Sequence, residues 1–198
     1  MAQQVVIIKY NAGNIRSVEH ALHRLGIQPV ITDDVAQIRA ADKVIFPGVG
    51  HAESTMAFLK EHRLDTVIRD LKQPTLGICL GQQLMCAHSE EGEVDCLSIF
   101  PIQVKKFQSD RPEFKIPQMG WNTIHNLKSP LFTGVPENSY VYFVHSYYCE
   151  MSPYTIATCD YLLSFSAALQ KDNFYALQFH PEKSADVGEQ ILRNFIDL

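Results

Sequence analysis

The amino-acid sequence predicts an α/β fold in which an open, mostly parallel sheet carries helices on both faces. In the first half of the chain, short runs of β-branched residues alternate with stretches of helical periodicity. Because parallel strands need a crossover connection between them, usually a helix, this alternation favours a parallel sheet. The second half, residues 98–179, contains many short β-branched and aromatic runs, so we expect it to be richer in strands and partly antiparallel.

Four apolar runs in the first half are the predicted parallel strands. The first, Val5-Val6-Ile7-Ile8, is β-branched throughout, which is typical of a strand buried on both faces. The others span residues 29–32, 43–46 and 75–78. Reactive groups in such sheets collect at the carboxyl ends of the strands. Residues 47–50 and Cys79 are therefore candidates, because each directly follows one of these runs.

Helical patterns lie between and after the predicted strands. The first covers residues 14–25, where Asn14 can cap the N-terminus through its side chain and Gly26 ends the helix. A short helix capped by Asp33 or Asp34 follows the second strand. The remaining predicted helices span residues 52–60 with an extension to 70, residues 80–87 and residues 186–196.

The composition is that of an ordinary globular protein, with 46% hydrophobic and 20% charged residues. At 198 residues the chain can bury a full core, and we expect one domain over residues 1–198. The net charge of −5 argues against a nucleic-acid partner, which needs clustered Lys and Arg. No run approaches the roughly 18 apolar residues of a membrane helix, and the first residues lack the basic region of a signal peptide. We therefore expect no membrane association and a cytoplasmic location.

The five cysteines argue against a disulfide framework and a structural zinc site. Their number is odd, and no two of them form a C-x-x-C pair. In a reducing compartment the cysteines stay free, which leaves Cys79 available as a thiol or thiolate. We expect neither a metal nor a cofactor.

Gly77-Ile78-Cys79-Leu80-Gly81 has the form of a nucleophile elbow, with cysteine in the place of serine. A sharp turn from strand to helix crowds its neighbours, so glycines are needed on either side of the nucleophile. The same turn places the sulfur at the N-terminus of a helix, where partial positive charge stabilises a thiolate. Free cysteine is also among the most buried residue types, so a packing role for Cys79 is the alternative at this point.

A cysteine nucleophile needs a base, and the base needs an orienting group. Among the histidines, His180 is the strongest candidate, because it follows an apolar run and precedes Pro181 and Glu182. We expect Pro181 to hold an extended backbone from which His180 and Glu182 leave on the same side. Glu182 can then fix the imidazole tautomer while His180 takes the thiol proton. An ordinary turn before a helix is the alternative reading of His-Pro-Glu.

The two motifs together resemble the class I, triad-type glutamine amidotransferases. Those proteins have a Cys-His-Glu triad on an open α/β sheet and hydrolyse glutamine to glutamate and ammonia. Within that class, the chain is most similar to the glutaminase subunits of imidazole glycerol phosphate synthases of histidine biosynthesis. The further matching segments follow the family's order along nearly the whole chain, at residues 13–18, 47–50, 117–122, 142–148 and 182–184.

The resemblance implies that Cys79, His180 and Glu182 form a catalytic triad. Cys79 would attack the side-chain amide carbon of L-glutamine, and water would then release glutamate from a γ-glutamyl thioester. The backbone N–H groups of Leu80 and Val49 would form the oxyanion hole, with glycines beside Val49 that let a peptide turn over. The same resemblance assigns substrate binding to Gly50, Gln83, His145, Ser146 and Tyr147.

The resemblance also implies a protein partner, because ammonia released into water is lost as ammonium. The expected partner is a cyclase subunit with a (β/α)8 barrel, which would use the ammonia to make imidazole glycerol phosphate. Trp121 is the only tryptophan, and it could be an interface anchor or a half-buried core aromatic. The candidate residues of the docking face are Asn14, Met119, Trp121 and Lys183.

One segment departs from the family pattern. The family has Asp-Tyr-Gly before the Gly-Asn near its start, whereas this chain has Lys9-Tyr10-Asn11-Ala12. This departure bears on docking more than on the triad. Three alternatives stay open: the same glutaminase chemistry supplying a related barrel synthase of amidino sugars, a cysteine-elbow stress protein or chaperone, and a non-enzymatic docking subunit.

Overall fold

The computed structural model describes residues 3–10 and 13–198, so Asn11 and Ala12 of the departing segment lie outside the described residues. The strands in chain order are β1 Val5–Ile8, β2 Val30–Thr32, β3 Lys43–Gly48, β4 Thr75–Cys79, β5 His88–Ser89, β6 Val94–Asp95, β7 Gln103–Lys106, β8 Gln118–Ile124, β9 Ser139–His145, β10 Tyr147–Cys149, β11 Thr155–Asp160, β12 Ser164–Lys171 and β13 Phe174–Leu177. The helices are α1 Ile15–Arg24, α2 Val35–Ala40, α3 Ala52–Glu61, α4 Leu64–Asp70, α5 Leu80–Met85 and α6 Ala185–Asp197, with 3₁₀ helices at Pro130–Phe132 and Pro181–Lys183.

The main sheet has seven strands in the order β11-β12-β13-β4-β3-β1-β2. The strands β2, β1, β3, β4 and β13 run parallel, whereas β12 and β11 are antiparallel additions at one edge. The predicted α/β class, with a mostly parallel sheet and antiparallel strands in the second half, is confirmed. Because β4 lies between β3 and β13, the carboxyl ends of these three strands meet at one edge of the sheet.

Helices cover both faces of this sheet, as the strand sequences require. In β1, Val5 and Ile7 belong to one hydrophobic cluster, whereas Val6 and Ile8 belong to another. Successive side chains of a strand point to opposite faces, so an unbroken β-branched run has to be buried on both. The first cluster includes buried residues of α1 and α6, and the second includes those of α2, α3, α4 and α5.

The predicted helix ends are partly confirmed. The Asp34 carboxylate caps α2 by accepting from the Gln37 N–H at 2.8 Å, as predicted. The predicted side-chain cap by Asn14 is wrong, because its amide makes no capping bond to α1. The pattern over residues 52–70 forms two helices rather than one, since Arg63 adopts a left-handed conformation with φ of 57° between α3 and α4.

Two smaller sheets stand beside the main one. One has four strands in the order β10-β7-β5-β6, and the other is the antiparallel pair β8–β9. In that pair Gln118 lies opposite His145, and Trp121 lies opposite Tyr142. Among the described residues, no helix has the length and apolar character needed to cross a membrane.

Candidate active site

Cys79 occupies a strained turn between β4 and α5. Its φ of 54° and ψ of −108° form a combination that residues with a side chain rarely adopt. A Cβ on Gly81 would overlap the Phe46 carbonyl oxygen of β3, and a Cβ on Gly77 would lie 2.9 Å from the Met85 sulfur. The nucleophile elbow predicted from the glycine spacing is therefore present. Close packing between α5 and the neighbouring strands is what requires the two glycines.

The strand β13 brings His180 to the same end of the sheet as Cys79. It runs parallel to β4 with Leu177 level with Ile78, so the residues that follow each strand leave the sheet side by side. The Nδ1 atom of His180 lies 2.8 Å from Oε1 of Glu182, and both side chains are fully buried. The three predicted triad residues thus meet in one place, although Cys79 and His180 are 101 positions apart in the sequence.

The backbone that joins His180 to Glu182 differs from the expected one. Pro181–Lys183 is a 3₁₀ turn, so the predicted extended backbone is wrong, and the tight turn is what brings the two side chains together. Ser184 holds this turn: its hydroxyl donates to the His180 carbonyl at 2.6 Å and accepts from the Tyr142 N–H at 3.0 Å.

Asn14 adds a further buried polar group to this pair. Its Nδ2 donates to Oε1 of Glu182 at 3.2 Å, and the residue is only 5% exposed. This contact explains why the side chain does not cap α1. The amide of Asn14 faces the carboxylate of Glu182 rather than solvent, and the role of Asn14 in docking stays a prediction.

The buried charges raise the pKa of His180. Burial by itself disfavours the imidazolium, but the neighbouring Cys79 and Glu182 outweigh that effect and raise the pKa of His180 to about 10. His180 is therefore protonated at neutral pH, and a cation beside a cysteine favours its thiolate. Within the described residues, the Nε2 atom of His180 has no hydrogen-bond partner, so it is free to exchange a proton with a reacting group.

A cavity of about 290 Å³ opens in front of the Cys79 sulfur. His180 and Glu182 lie behind the wall of this cavity. Eight residues singled out from the sequence lie in the wall itself: Val49, Gly50, Cys79, Leu80, Gln83, His145, Ser146 and Tyr147. Three others in the wall were missed, namely Glu91, Pro117 and Val144. The Glu91 carboxylate accepts from the Ala52 N–H at 2.8 Å, which fastens the β5–β6 connection to the first turn of α3.

Val49 and Gly50, the last two of residues 47–50, line the cavity next to the elbow. Gly48 pairs with Cys79 across β3 and β4, so Val49 and Gly50 follow directly beside the sulfur. The Tyr10 hydroxyl donates to the Pro47 carbonyl. A Cβ on Gly48 would lie 2.7 Å from that hydroxyl oxygen, so only glycine fits under the ring. This placement suits the predicted oxyanion role of the Val49 N–H.

Both ring nitrogens of His145 lie close to oxygen atoms in the wall. Its Nδ1 lies 2.7 Å from the Tyr147 carbonyl and its Nε2 lies 3.1 Å from the Gln118 amide oxygen. Burial lowers the pKa of His145 to about 4, the Tyr147 carbonyl opposes that shift, and the charge of His180 adds to it. His145 is therefore neutral at neutral pH. A neutral imidazole carries a single N–H, so His145 can donate to only one of these two oxygens. Its substrate-binding role stays a prediction.

The other docking candidates lie on one exposed face next to the Pro181–Lys183 turn, which we call the triad turn. On β8, Met119 is 66% exposed and Trp121 is 53% exposed. The Trp121 ring meets the Tyr142 ring edge-on at 6.0 Å between centroids, and Lys183 Nζ lies 5.8 Å from the centre of the Tyr142 ring. The structure thus favours the anchor reading of Trp121 over the core reading. Their docking role remains a prediction.

No group of three or more His, Cys, Asp and Glu side chains in residues 3–10 and 13–198 is arranged to hold a metal ion. The five cysteines are free thiols, including Cys86 and Cys149, whose sulfurs lie 3.5 Å apart. The chemically reactive side chains that meet at this site are those of Cys79, His180 and Glu182. A cysteine at a strand-to-helix elbow, with a His-Glu pair behind it and a cavity in front, defines a cysteine-nucleophile acyl transfer enzyme.

Comparisons with known proteins place the chain within that class. The class-I glutamine amidotransferase family matches residues 6–198, and the chain belongs to this family. The chain is 61% identical to the imidazole glycerol phosphate synthase subunit HisH of Bacteroides fragilis over 195 residues, which cover 98% of this chain and all of that protein. It is 45% identical to the protein of the same name from Pasteurella multocida, with 98% of each chain covered.

Solved structures agree with the fold. The structure of PurLQS from Thermotoga maritima matches 100% of this chain and 99% of the matched chain, with a TM-score of 0.72 and 14% identity. A crystal structure of a glutamine amidotransferase matches with the same TM-score of 0.72 at 15% identity, covering 97% of each chain. At these identities the likeness concerns the fold alone.

Proposed function

We propose that this chain is the glutamine-hydrolysing subunit of an imidazole glycerol phosphate synthase and supplies ammonia for L-histidine biosynthesis. The observation that carries the proposal is the meeting of Cys79, which lines the cavity, with the buried pair of His180 and Glu182 behind it. The family and the relatives named above supply the reaction class and the pathway. The chain acts as one domain, since both hydrophobic clusters share the seven-stranded sheet.

The reaction begins with transfer of a glutamyl group to sulfur. The Cys79 thiolate attacks the side-chain amide carbon of L-glutamine, and negative charge collects on the former carbonyl oxygen. The N–H groups of Leu80 and Val49 stabilise that charge. As the carbon–nitrogen bond breaks, His180 donates its proton to the departing nitrogen and ammonia forms. A γ-glutamyl thioester remains on Cys79.

Water completes the reaction at the same carbon. Neutral His180 removes a proton from water, and the oxygen attacks the thioester carbonyl. The carbon–sulfur bond breaks with its electron pair on sulfur, so glutamate leaves and the thiolate returns beside protonated His180. Glu182 stays ionised throughout and stabilises the imidazolium, as its buried 2.8 Å contact allows.

The cavity wall offers partners for the amino-acid end of glutamine. The Glu91 carboxylate suits the α-ammonium group, and Gly50, Ser146 and Tyr147 offer backbone and hydroxyl groups for the α-carboxylate. Gln83 holds the wall in shape by donating to the Tyr147 carbonyl at 2.9 Å. A volume of about 290 Å³ is at the lower end of ligand cavities, which suits a single amino acid.

The partner is a (β/α)8 cyclase subunit that consumes the ammonia. Met119, Trp121 and Lys183 are the proposed contacts, because they lie together on an exposed face beside the triad turn. A protein docked there would shield ammonia from water before it is protonated. The heterodimer would act in the cytoplasm, where histidine is made.

The test is glutamate release from glutamine by the chain alone and by the chain with a cyclase subunit and its nucleotide ligand. We expect release that depends on the partner and disappears in Cys79→Ala. Release stimulated only by a barrel synthase of amidino sugars would assign the chain to that pathway instead. A complex that forms but never releases glutamate would reduce the chain to a docking subunit.

A further inference from the structure

We propose that Gln178 is a catalytic residue, which donates a side-chain N–H to the Cys79 sulfur and stabilises the thiolate each time it forms. The inference rests on the proposed glutaminase function. Gln178 lies one residue beyond β13 and two before His180, and it is fully buried. Its Nε2 atom lies 3.8 Å from the Cys79 sulfur, within reach of a long N–H···S hydrogen bond.

A chain of hydrogen bonds determines which end of the Gln178 amide faces the sulfur. The Tyr147 carbonyl can only accept, so the Gln83 atom 2.9 Å from it has to be the NH₂ group. The same NH₂ group lies 3.0 Å from the Gln178 amide, whose facing atom must then be the oxygen. The remaining end of Gln178 is the NH₂ group, and it points at Cys79. The Tyr147 carbonyl, which can only accept, thus fixes the orientation of both amides.

The other contact of the sulfur is of the opposite kind. The Val144 carbonyl oxygen lies 3.9 Å from the Cys79 sulfur, so it accepts from the neutral thiol and offers nothing to a thiolate. Gln178 is therefore the side-chain amide that favours the ionised sulfur. Hydrogen bonds with one charged member are roughly twice as strong as neutral ones, so this contact strengthens when the thiol loses its proton.

Both halves of the reaction gain from such a donor. Gln178 stabilises the thiolate before it attacks the amide carbon of glutamine. When water attacks the thioester, the carbon–sulfur bond breaks and its electron pair passes to the sulfur beside the same N–H. His180 moves protons in both steps, whereas Gln178 keeps its protons and acts only on the charge of the sulfur.

Several titratable groups surround Cys79, including Glu91 in the wall of the same cavity, and all of them are present in every Gln178 variant. His180 and, behind it, Glu182 face the sulfur from the turn after β13, and Tyr10 faces it from the segment after β1. His145 lies further off on β9 and is neutral at neutral pH. A change in the ionisation of Cys79 in Gln178 variants is therefore a measure of the amide contact.

The test measures alkylation of the full chain by iodoacetamide across pH, with Cys79→Ala as the blank for the other thiols. We expect Gln178→Met to raise the pH midpoint of Cys79 alkylation by about 1 unit and to lower kcat in the complex about tenfold. Gln178→Glu should raise the midpoint further, since a carboxylate then faces the sulfur. If Gln178 served only in packing, the alkylation midpoint would not rise from the wild type to Gln178→Met and again to Gln178→Glu.

Gln82→Met is the matched control. Gln82 is also a fully buried glutamine, but its amide donates to the Ser166 carbonyl at 3.0 Å and does not contact the sulfur. We expect its alkylation midpoint to equal that of the wild type. If both Gln178 variants also keep the wild-type midpoint, the proposal is wrong.

The role of Gln178 and the glutaminase function can be refuted separately. A shifted midpoint without glutamate release under any condition would retain the Gln178 contact and refute the glutaminase function. Should Gln178→Met fail to fold, Gln83→Met replaces it, because it leaves Gln178 in place and removes the donor that orients it. An upward shift in Gln83→Met is then expected, and an unchanged midpoint overturns the proposal.

Discussion

The triad region and the exposed β8–β9 face lie next to each other and are built in opposite ways. In the triad region, His180 and Glu182 are buried and their positions are held by hydrogen bonds from neighbouring elements. On the β8–β9 face, Met119, Trp121 and Tyr140 expose half or more of their surface. The chemistry is therefore assembled within this chain, whereas the apolar face has no partner within the described residues and suits protein binding.

The two regions meet at Tyr142. Its carbonyl accepts from the His180 N–H at 2.9 Å and its N–H donates to the Ser184 hydroxyl, so β9 holds the backbone of the triad turn. Its ring packs against Trp121 on the exposed side. A protein bound to that face would therefore contact the strand that holds the backbone of His180, the proposed base.

The largest expected effect is on activity and not on binding. Cys79→Ala should lower glutamate release in the complex by at least about 10³-fold, because no other nucleophile is placed at the amide carbon. Binding of the cyclase subunit should stay within about twofold of the wild type, since Cys79 is buried and adds almost nothing to the exposed surface of the chain. Glutaminase assays measure the loss of glutamate release, and calorimetric titration measures binding of the cyclase subunit. Loss of binding in this variant would break the separation of the two regions.

A change beneath the elbow should destabilise the whole chain. In Gly81→Ala the new Cβ overlaps the Phe46 carbonyl oxygen, and backbone cannot yield as a flexible side chain can. We expect a loss of about 3 kcal/mol or more in the free energy of unfolding. Gly134→Ala is the comparison, since open space surrounds that glycine and its φ of 76° alone should cost about 1 kcal/mol. Urea titration measures both, and equal losses would argue against tight packing at the elbow.

Acid should weaken the cavity wall through His145. Its folded pKa of about 4 lies below the ordinary 6.5, so the folded chain binds fewer protons than the unfolded chain between those values. The stability linked to His145 is complete above pH 6.5 and is lost as the pH falls towards 4. Between pH 7 and pH 4 the wild type should lose about 3 kcal/mol more than His145→Gln. Denaturant titrations at both pH values measure this difference. Equal losses of unfolding free energy in the wild type and in His145→Gln would show that His145 is not kept neutral by the fold.

The smallest effect should be confined to the exposed face. Trp121→Ala should weaken binding of the cyclase subunit about tenfold or more, because aromatic anchors dominate protein interfaces. Its melting temperature should stay close to that of the wild type, since Trp121 is 53% exposed. Leu163→Ala, an exposed apolar residue in the β11–β12 turn, is the control for nonspecific effects and should bind as the wild type does. Equal binding by both variants would remove Trp121 from the proposed interface.

The sequence predicted the sheet well because its signals are local. The β-branched run of β1 and the Asp34 cap each depend on neighbours within a few positions. The Gly-x-Cys-x-Gly pattern likewise carried its own steric reason, and the structure shows the crowding that excludes a side chain at Gly81. The helix over residues 52–70 was the weaker prediction, since a single left-handed residue at Arg63 divides it without any breaker in the sequence.

Other site residues could not be found from local pattern. Glu91 follows a run of polar residues that reads as a solvated turn, and only the packing of β5 and β6 on α3 brings it into the cavity. Asn14 resembles a helix cap in the sequence, yet its amide bonds Glu182 at the far end of the chain. Gln178 lies beside the His180 motif, but its contact with Cys79 needs β4 and β13 to be neighbours.

The sequence by itself determined the α/β class, the elbow at Cys79 and the choice of His180 as the candidate base, because spacing and residue type carry those features. Only the tertiary structure decided which distant groups surround the sulfur, how the His180 turn is closed and which apolar residues stay outside. The reason is that hydrogen bonds and burial depend on distances between elements. Those distances are set by the order of strands in the sheet, and neighbouring residues along the chain do not contain that order.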